Sequence, residues 1–351
     1  MSSPSTRYVL AKGCYGMGNR ILSLLEAIVF ARLTNRQLIV DWSDPVFSDD
    51  GSNVFPRFFI LSGATYSTAE LADASVTPRV WQGHIHETAY ELKASFTLDP
   101  TNLAGALSVD ASTLAYEEDV VVIADWDFDY NALLPHLNQL PDHVQGLGKG
   151  PLLRGLLSDN LRLQPRIRDR VDAFKKSHFT RPVIGVHVRQ TDNTTPINMR
   201  RGPAVSLGSY APILDRLVAN NREALVFLAS DNQDVLAAYR AQYPLVVATE
   251  KWYSSDPRVG RHPDLACPDR PRMGEDALVD MYLLSECDWY VYSARSSFGR
   301  VAALLSSADD SHILDVEHGG RCLDPEGGGT RPRKTGPSKV AARIHKLLRF
   351  R

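Results

Sequence analysis

The residues best suited to chemistry are His187 and Arg189, which close the apolar run PVIGVHVR at 182–189. Alternation along a strand puts both on one face, and a guanidinium offers a phosphate a planar set of donors. The run therefore predicts an anion clamp at a strand end. The competing reading makes Arg189 an interface ion pair and His187 a core residue. The turn GCYGMG at 13–18 supplies backbone amides and a helix N-terminus, both suited to a diphosphate or to sugar hydroxyls. It lacks the complete G-x-G-x-x-G spacing and the P-loop lysine, which argues against a nicotinamide dehydrogenase and against an NTPase. A close-packed strand-to-helix connection is the alternative. Ser296 and Ser297 open a helix, where hydroxyls cap the helix or bind phosphate. Asp280, between Val279 and Met281 on an apolar helix, needs a partner if buried; a purine's N–H donors would serve, as would an internal ion pair. Asp125, Asp127 and Asp129 alternate beyond an apolar run. With no further ligand scaffold they make a weak metal site, and Asp125 and Trp126 are expected to hydrogen-bond an acceptor instead. His84 and His86 also alternate and are expected to be surface or structural residues.

These groups need elements to hold them. Residues 8–11 read as a strand, 19–33 as a helix with apolar residues at helical spacing, and 37–40 as a second strand, a βαβ beginning. The β-branched run 120–124 reads as a buried parallel strand whose polar C-terminal end faces a cleft. Residues 146–171 look helical and connecting. A second series follows at 182–188, 224–229, 245–248 and 289–292, with helices at 275–285 and from Ser296 to 305. The segments 190–210 and 253–276 read as long substrate-binding loops. The tail GGGTRPRKTGPSK has linker composition and leads into a short basic amphipathic helix, VAARIHKLLRFR, expected to dock on the protein.

Length and composition bound the answer. The 351 residues suit two α/β domains, at roughly 100 to 200 residues each. The hydrophobic share of 44% and charged share of 23% describe a folded chain. A net charge of −2 creates no global field for nucleic acid, so any anion must be held locally. No signal-peptide pattern and no apolar run of the roughly 18 residues a membrane span requires is visible, which predicts a cytoplasmic protein. Cys14, Cys267, Cys287 and Cys322 form no CxxC pair and are expected to be reduced thiols.

Taken in order, these segments resemble the rhizobial NodZ α1,6-fucosyltransferases and, more distantly, the core α1,6-fucosyltransferases and protein O-fucosyltransferases. The resemblance is carried by GMGNRILSLLEAIVFARLTNRQLIVDW, SNVFPRFF, VIGVHVR, ALVDMYLLSECD and SSFGRVAALL, and runs from about residue 7 to about residue 316. It implies a GT-B-like α/β fold, two Rossmann-type domains facing a central cleft. The N-terminal, acceptor-side domain would span 1–174 and the GDP-sugar-binding domain 175–325, with a basic linker and helix at 326–351. It further implies that His187 and Asp280 contact guanine, Arg189 the β-phosphate, Ser296 and Ser297 the diphosphate, and Gly16 and Gly18 the donor from across the cleft. Asp231, in LASDNQDV, matches a family acid near the donor.

The chain also departs from that pattern. Gln190 stands where the family often has a second basic residue after the arginine, so positive charge must come from elsewhere, for example Arg295 or Arg300. No glutamate occurs between Gln190 and Asn221 to serve as the core-type general base, and Asp192 is the nearest acid. The expected activity is transfer of fucose from GDP-fucose to a glycan or other hydroxyl acceptor, inverting and without metal or cofactor, with Arg189 and Asp192 as the catalytic pair. A transferase of another GDP-sugar such as GDP-mannose, or a GDP-binding regulatory protein without turnover, are the alternatives.

Overall fold

The computed structural model describes residues 6–98, 107–141, 145–190, 205–256 and 264–319. Asp192, Cys322, the linker and the expected C-terminal helix lie outside the described residues.

The expected βαβ opening is present as β1 (Tyr8–Lys12), α1 (Met17–Thr34) and β2 (Gln37–Asp41). Helix α1 ends at Asn35, whose left-handed backbone (φ 52°) is the conformation that helix C-termini favour. Short helices α2 (Phe55–Phe58), α3 (Ala89–Leu98) and α4 (Tyr130–Leu133) follow, among strands β3 (Phe59–Ile60), β4 (Ala64–Thr65), β5 (Val76–Thr77) and β6 (Val120–Ile123). The first sheet has the order β4-β2-β1-β6-β5, every pair parallel.

Residues 146–171, expected as one helical connection, divide into α5 (Lys149–Asn160), β7 (Arg162–Leu163) and α6 (Pro165–His178). Pro165 explains the break: it has no N–H to continue a helix and its fixed φ suits a first turn. Strand β7 pairs antiparallel with β3, tying this connection back to the N-terminal half.

The second sheet is built from β8 (Val183–Val188), β9 (Leu225–Ser230), β10 (Val246–Val247), β11 (Trp289–Tyr292) and β12 (Ile313–Asp315), ordered β10-β9-β8-β11-β12 and again all parallel. Its helices are α7 (Leu207–Asn220), α8 (Gln233–Gln242), α9 (Arg270–Ser285) and α10 (Ser297–Leu305). Residues 207–210 and 270–276 are thus helical where loop was expected. Ser206 caps the first and Asp269 the second, and Pro271 stands in the first turn of α9, so start signals were present in both segments.

In each sheet the chain runs outward from a central strand on one side and then crosses to the other. This leaves a topological switch point between β1 and β6, and another between β8 and β11. Ligands of open parallel sheets bind outside the strand carboxyl ends at such points. One hydrophobic cluster joins the halves, running from Val9, Val40 and Ile123 of the first sheet to Val183, Phe227 and Tyr290 of the second. Helix α1 is buried along most of its length because it packs on its own sheet and also against α10. Cys14, Cys267 and Cys287 are buried and in no disulfide among the described residues, and no helix among these residues is long and apolar enough to cross a membrane.

Candidate functional site

The carboxyl ends of β8 and β9, the segment that follows β10 and the N-terminal end of α10 open onto one cleft. Strand β8 contributes His187 and, just beyond its end, Arg189; β9 contributes Ala229, Ser230 and the following Asp231. Ser297 and Phe298 enter from the first turn of α10, and Met273, Ala277 and Asp280 from α9. The opposite wall comes from the first half: Gly16, Met17 and Gly18 at the start of α1, with Phe47. Gly18 is required by this approach. A Cβ there would lie 2.6 Å from the Ser297 carbonyl oxygen and closer still to the Phe298 nitrogen, so the two helix starts meet backbone to backbone. The turn is therefore both a close-packed connection and a wall of the cleft. Tyr15, in its middle, takes a left-handed conformation (φ 63°), and its carbonyl accepts a hydrogen bond from Arg20 Nε at 2.9 Å.

Asp280 has the partner its apolar setting demands. Thr249 Oγ1 donates to its Oδ1 at 2.6 Å, and Lys251 Nζ donates to its Oδ2 in an ion pair whose side chains are 1% and 5% exposed. The internal ion pair is thus the observed state of this carboxylate, at the cleft wall. His187 stacks on Phe298 with centroids 4.9 Å apart, and its Nδ1 has no hydrogen-bond partner among the described residues. Burial pushes the His187 imidazole down to about 4; Asp231 opposes this, Arg189 and Lys251 add to it, and Asp280 opposes it. The ring is neutral at neutral pH. Asp231 Oδ1 accepts from the backbone nitrogen of Gln190 at 3.1 Å, anchoring the segment that carries Arg189.

Of the residues singled out in the sequence, Gly16, Gly18, His187, Arg189, Asp231, Asp280 and Ser297 line this one cleft. Ser296 is the N-cap of α10, its hydroxyl accepting from Gly299 N at 3.3 Å. Asp125 and Trp126 are half-buried and stand beside the cleft, not on its wall. The Trp126 carbonyl accepts from Asn19 Nδ2 at 2.5 Å, and Asn19 Oδ1 accepts from Ser297 Oγ at 3.0 Å. Asn19 thereby links the two switch points.

Two expectations are corrected. Asp125, Asp127 and Asp129 do not share a strand face, because β6 stops at Ile123. Asp127 pairs with Arg300 at 3.0 Å, and Asp129 caps α4 by accepting from Ala132 N at 3.1 Å. Nor are Arg295 and Arg300 open replacements for the missing second base: Arg295 pairs with Glu317 at 3.0 Å and Arg300 with Asp127. The second cation on the cleft wall is Lys251, which was overlooked. It follows the third strand of its sheet, and the strand-end logic applied to His187 and Arg189 would have found it. Glu26 was also missed. It is buried on α1, its Oε2 accepts from Asp129 N at 2.6 Å, and burial first, then Asp125, pushes its carboxyl well above the usual range. Among the described residues no group of three or more His, Cys, Asp or Glu is arranged to hold a metal ion.

Residues 153–323 match the family model of Nodulation protein Z (NodZ). Nodulation protein Z of Azorhizobium caulinodans is 26% identical over 324 residues, which are 86% of this chain and 90% of that protein. The crystal structure of fucosyltransferase NodZ from Bradyrhizobium is similar with a TM-score of 0.57 at 23% identity, covering 90% of this chain and 97% of the other. A crystal structure of NodZ alpha-1,6-fucosyltransferase soaked with GDP-fucose is similar with a TM-score of 0.56 at 22% identity, covering 95% and 100%. The chain resembles the NodZ proteins over most of its length and shares their fold.

Proposed function

We propose, starting from this kinship with NodZ, that the chain is a glycosyltransferase that moves fucose from GDP-fucose to a hydroxyl acceptor, with inversion and without a metal ion. The observation that carries the reading is the convergence of Arg189, Lys251, Asp280 and the α10 N-terminus on one cleft between two parallel α/β sheets. We read 1–174 and 175–325 as the two Rossmann-type units of a GT-B-like enzyme, joined through α6, and the protein as cytoplasmic. The solved NodZ soaked with GDP-fucose supports the choice of donor.

In this mechanism guanine lies against Asp280 and His187, and the diphosphate runs toward Arg189, Ser297 and the first turn of α10. As the bond between the sugar C1 and the β-phosphate oxygen breaks, charge accumulates on GDP. Arg189 and the helix-end donors stabilise it where it develops. The acceptor oxygen attacks C1 from the opposite face, giving inversion, and its proton passes to a carboxylate acting as general base, for which Asp192 is the candidate. Asp125 and Trp126 are the residues we assign to the acceptor, and the cations Arg189 and Lys251 on the cleft wall support metal independence.

Thermal unfolding in the presence of GDP, UDP, ADP and CMP tests the donor. At a hundred times its dissociation constant a ligand adds about 2.7 kcal/mol, so GDP alone is expected to raise the unfolding temperature. Arg189→Ala is expected to remove that shift and to lower turnover about a hundredfold, on the order of 3 kcal/mol. A preference for UDP or ADP, or unchanged turnover in the variant, would reject the assignment. Activity lost to chelator and restored by manganese would reject metal independence.

A further inference from the structure

Helix α1 and its neighbours hold the chain beyond β6 at each residue from Trp126 to Asp129. Asn19 Nδ2 donates to the Trp126 carbonyl at 2.5 Å, and Arg300 pairs with Asp127 at 3.0 Å. Lys149 Nζ donates to the Phe128 carbonyl at 3.3 Å, and Asp129 N donates to Glu26 Oε2 at 2.6 Å. Asn19 and Glu26 both stand on α1, two turns or about 10 Å apart along one face. The stretch from Trp126 to Asp129 spans about 10 Å when extended, so it runs beside that face from Asn19 to Glu26. Asn19 reaches the cleft through Ser297, whereas Glu26 is 2% exposed and has no part in the transfer chemistry. We propose that Glu26 is a positioning residue for the acceptor, fixing residues 125–129 against α1 and thereby setting Asp125 and Trp126 beside the cleft. This rests on the assignment of Asp125 and Trp126 to the acceptor within the fucosyl-transfer reading.

The charges around Glu26 decide when the tie holds. Facing it are Asp125, Asp127 and Asp129 from the chain beyond β6 and Lys149 from the start of α5, while Arg300 of α10 answers Asp127. Burial first, and then Asp125, holds the Glu26 carboxyl well above the usual range. While neutral, Glu26 accepts from Asp129 N without setting a fourth negative charge among three carboxylates. Once ionised, it would have to draw water between α1 and the loop, and it would repel Asp125. The tie is therefore present below the raised value and lost as pH rises through it. A glutamine keeps the accepting oxygen and the shape but cannot ionise, whereas a leucine keeps the bulk and accepts nothing. The two substitutions separate a residue that holds the loop from one that only fills space.

Emission of Trp126, taken as the difference between the full chain and its Trp126→Phe variant, reads the place of the loop. In the unaltered protein it is expected to stay constant through the range in which carboxylates ordinarily titrate. At higher pH it is expected to move several nanometres to longer wavelength while far-ultraviolet circular dichroism holds steady. Glu26→Gln is expected to keep the low-pH emission throughout, and Glu26→Leu to show the shifted emission at every pH. A shift that persists in Glu26→Gln would assign the movement to Lys149 or another group and overturn the proposal. So would an unshifted emission in Glu26→Leu, which would show the loop keeping its place unaided, or a constant emission in the unaltered protein up to the pH at which it unfolds. Should Glu26→Leu not fold, the unaltered protein and Glu26→Gln still decide the matter. GDP binding, followed by thermal unfolding, is a separate control: its absence would fail the GDP-sugar reading, while the emission would still report whether Glu26 holds the loop.

Discussion

A single imidazole carries a readable signature of the site. His187 is neutral because burial in the cleft wall disfavours its charged form, with Arg189 and Lys251 nearby, and the shift from 6.5 to about 4 makes it a stability term. Between those values the unfolded chain holds a proton that the folded chain refuses. The contribution is therefore present above pH 6.5 and is lost as pH falls toward 4. Urea unfolding between pH 4 and 7 is expected to show stability falling with acid, by on the order of 3 kcal/mol from this residue at full extent, and His187→Gln to flatten that fall. An equally steep slope in the variant would assign the effect to other groups.

At the scale of elements, the cleft exists because α1 and α10 start against each other. Gly18 permits that approach, and the Asn19–Ser297 hydrogen bond of 3.0 Å and the Asn19–Trp126 bond of 2.5 Å hold it. Gly18→Ala adds a methyl group to a contact between backbones, which cannot move aside as a flexible side chain would. The expected cost is about 1–3 kcal/mol of stability, with weakened nucleotide binding because Gly18 and Ser297 both line the cleft. Denaturant unfolding with and without GDP checks both; a variant as stable as the original would show that the helix starts part readily.

Among the described residues one apolar cluster spans both five-stranded sheets, and charges reinforce the junction. Glu275 and Asp276 at the start of α9 are buried. Glu275 meets Arg166 at 2.8 Å and Arg57 at 3.6 Å, and Asp276 meets Arg170 at 2.5 Å and Arg272 at 3.1 Å. Gly274 lets Phe58 of α2 lie on the same helix, its Cα side facing the Phe47 ring. Inter-domain surfaces that are small and polar allow domains to move and melt apart, whereas a shared apolar core couples them. The described residues are accordingly expected to unfold in one transition, with tryptophan fluorescence and far-ultraviolet circular dichroism giving the same midpoint. Two separated midpoints would show that the halves are energetically independent.

What the chain states locally proved readable. Apolar periodicity marked β1, α1, β2, β8, β9 and β11, because strand and helix periods are imposed by the backbone and appear in any contiguous stretch. The strand-end rule located His187 and Arg189, and hydroxyls before an apolar run marked the start of α10 at Ser296 and Ser297. Pairings between distant residues were not readable. Asp280 meets Lys251 from a segment with no periodicity, Arg300 is taken by Asp127 across the junction, and the acids after β6 leave the strand because it ends at Ile123. Side-chain chemistry and local period are properties of the sequence itself; which charges neutralise one another, and which remain to face a ligand, depends on distances that exist only after the two sheets have packed.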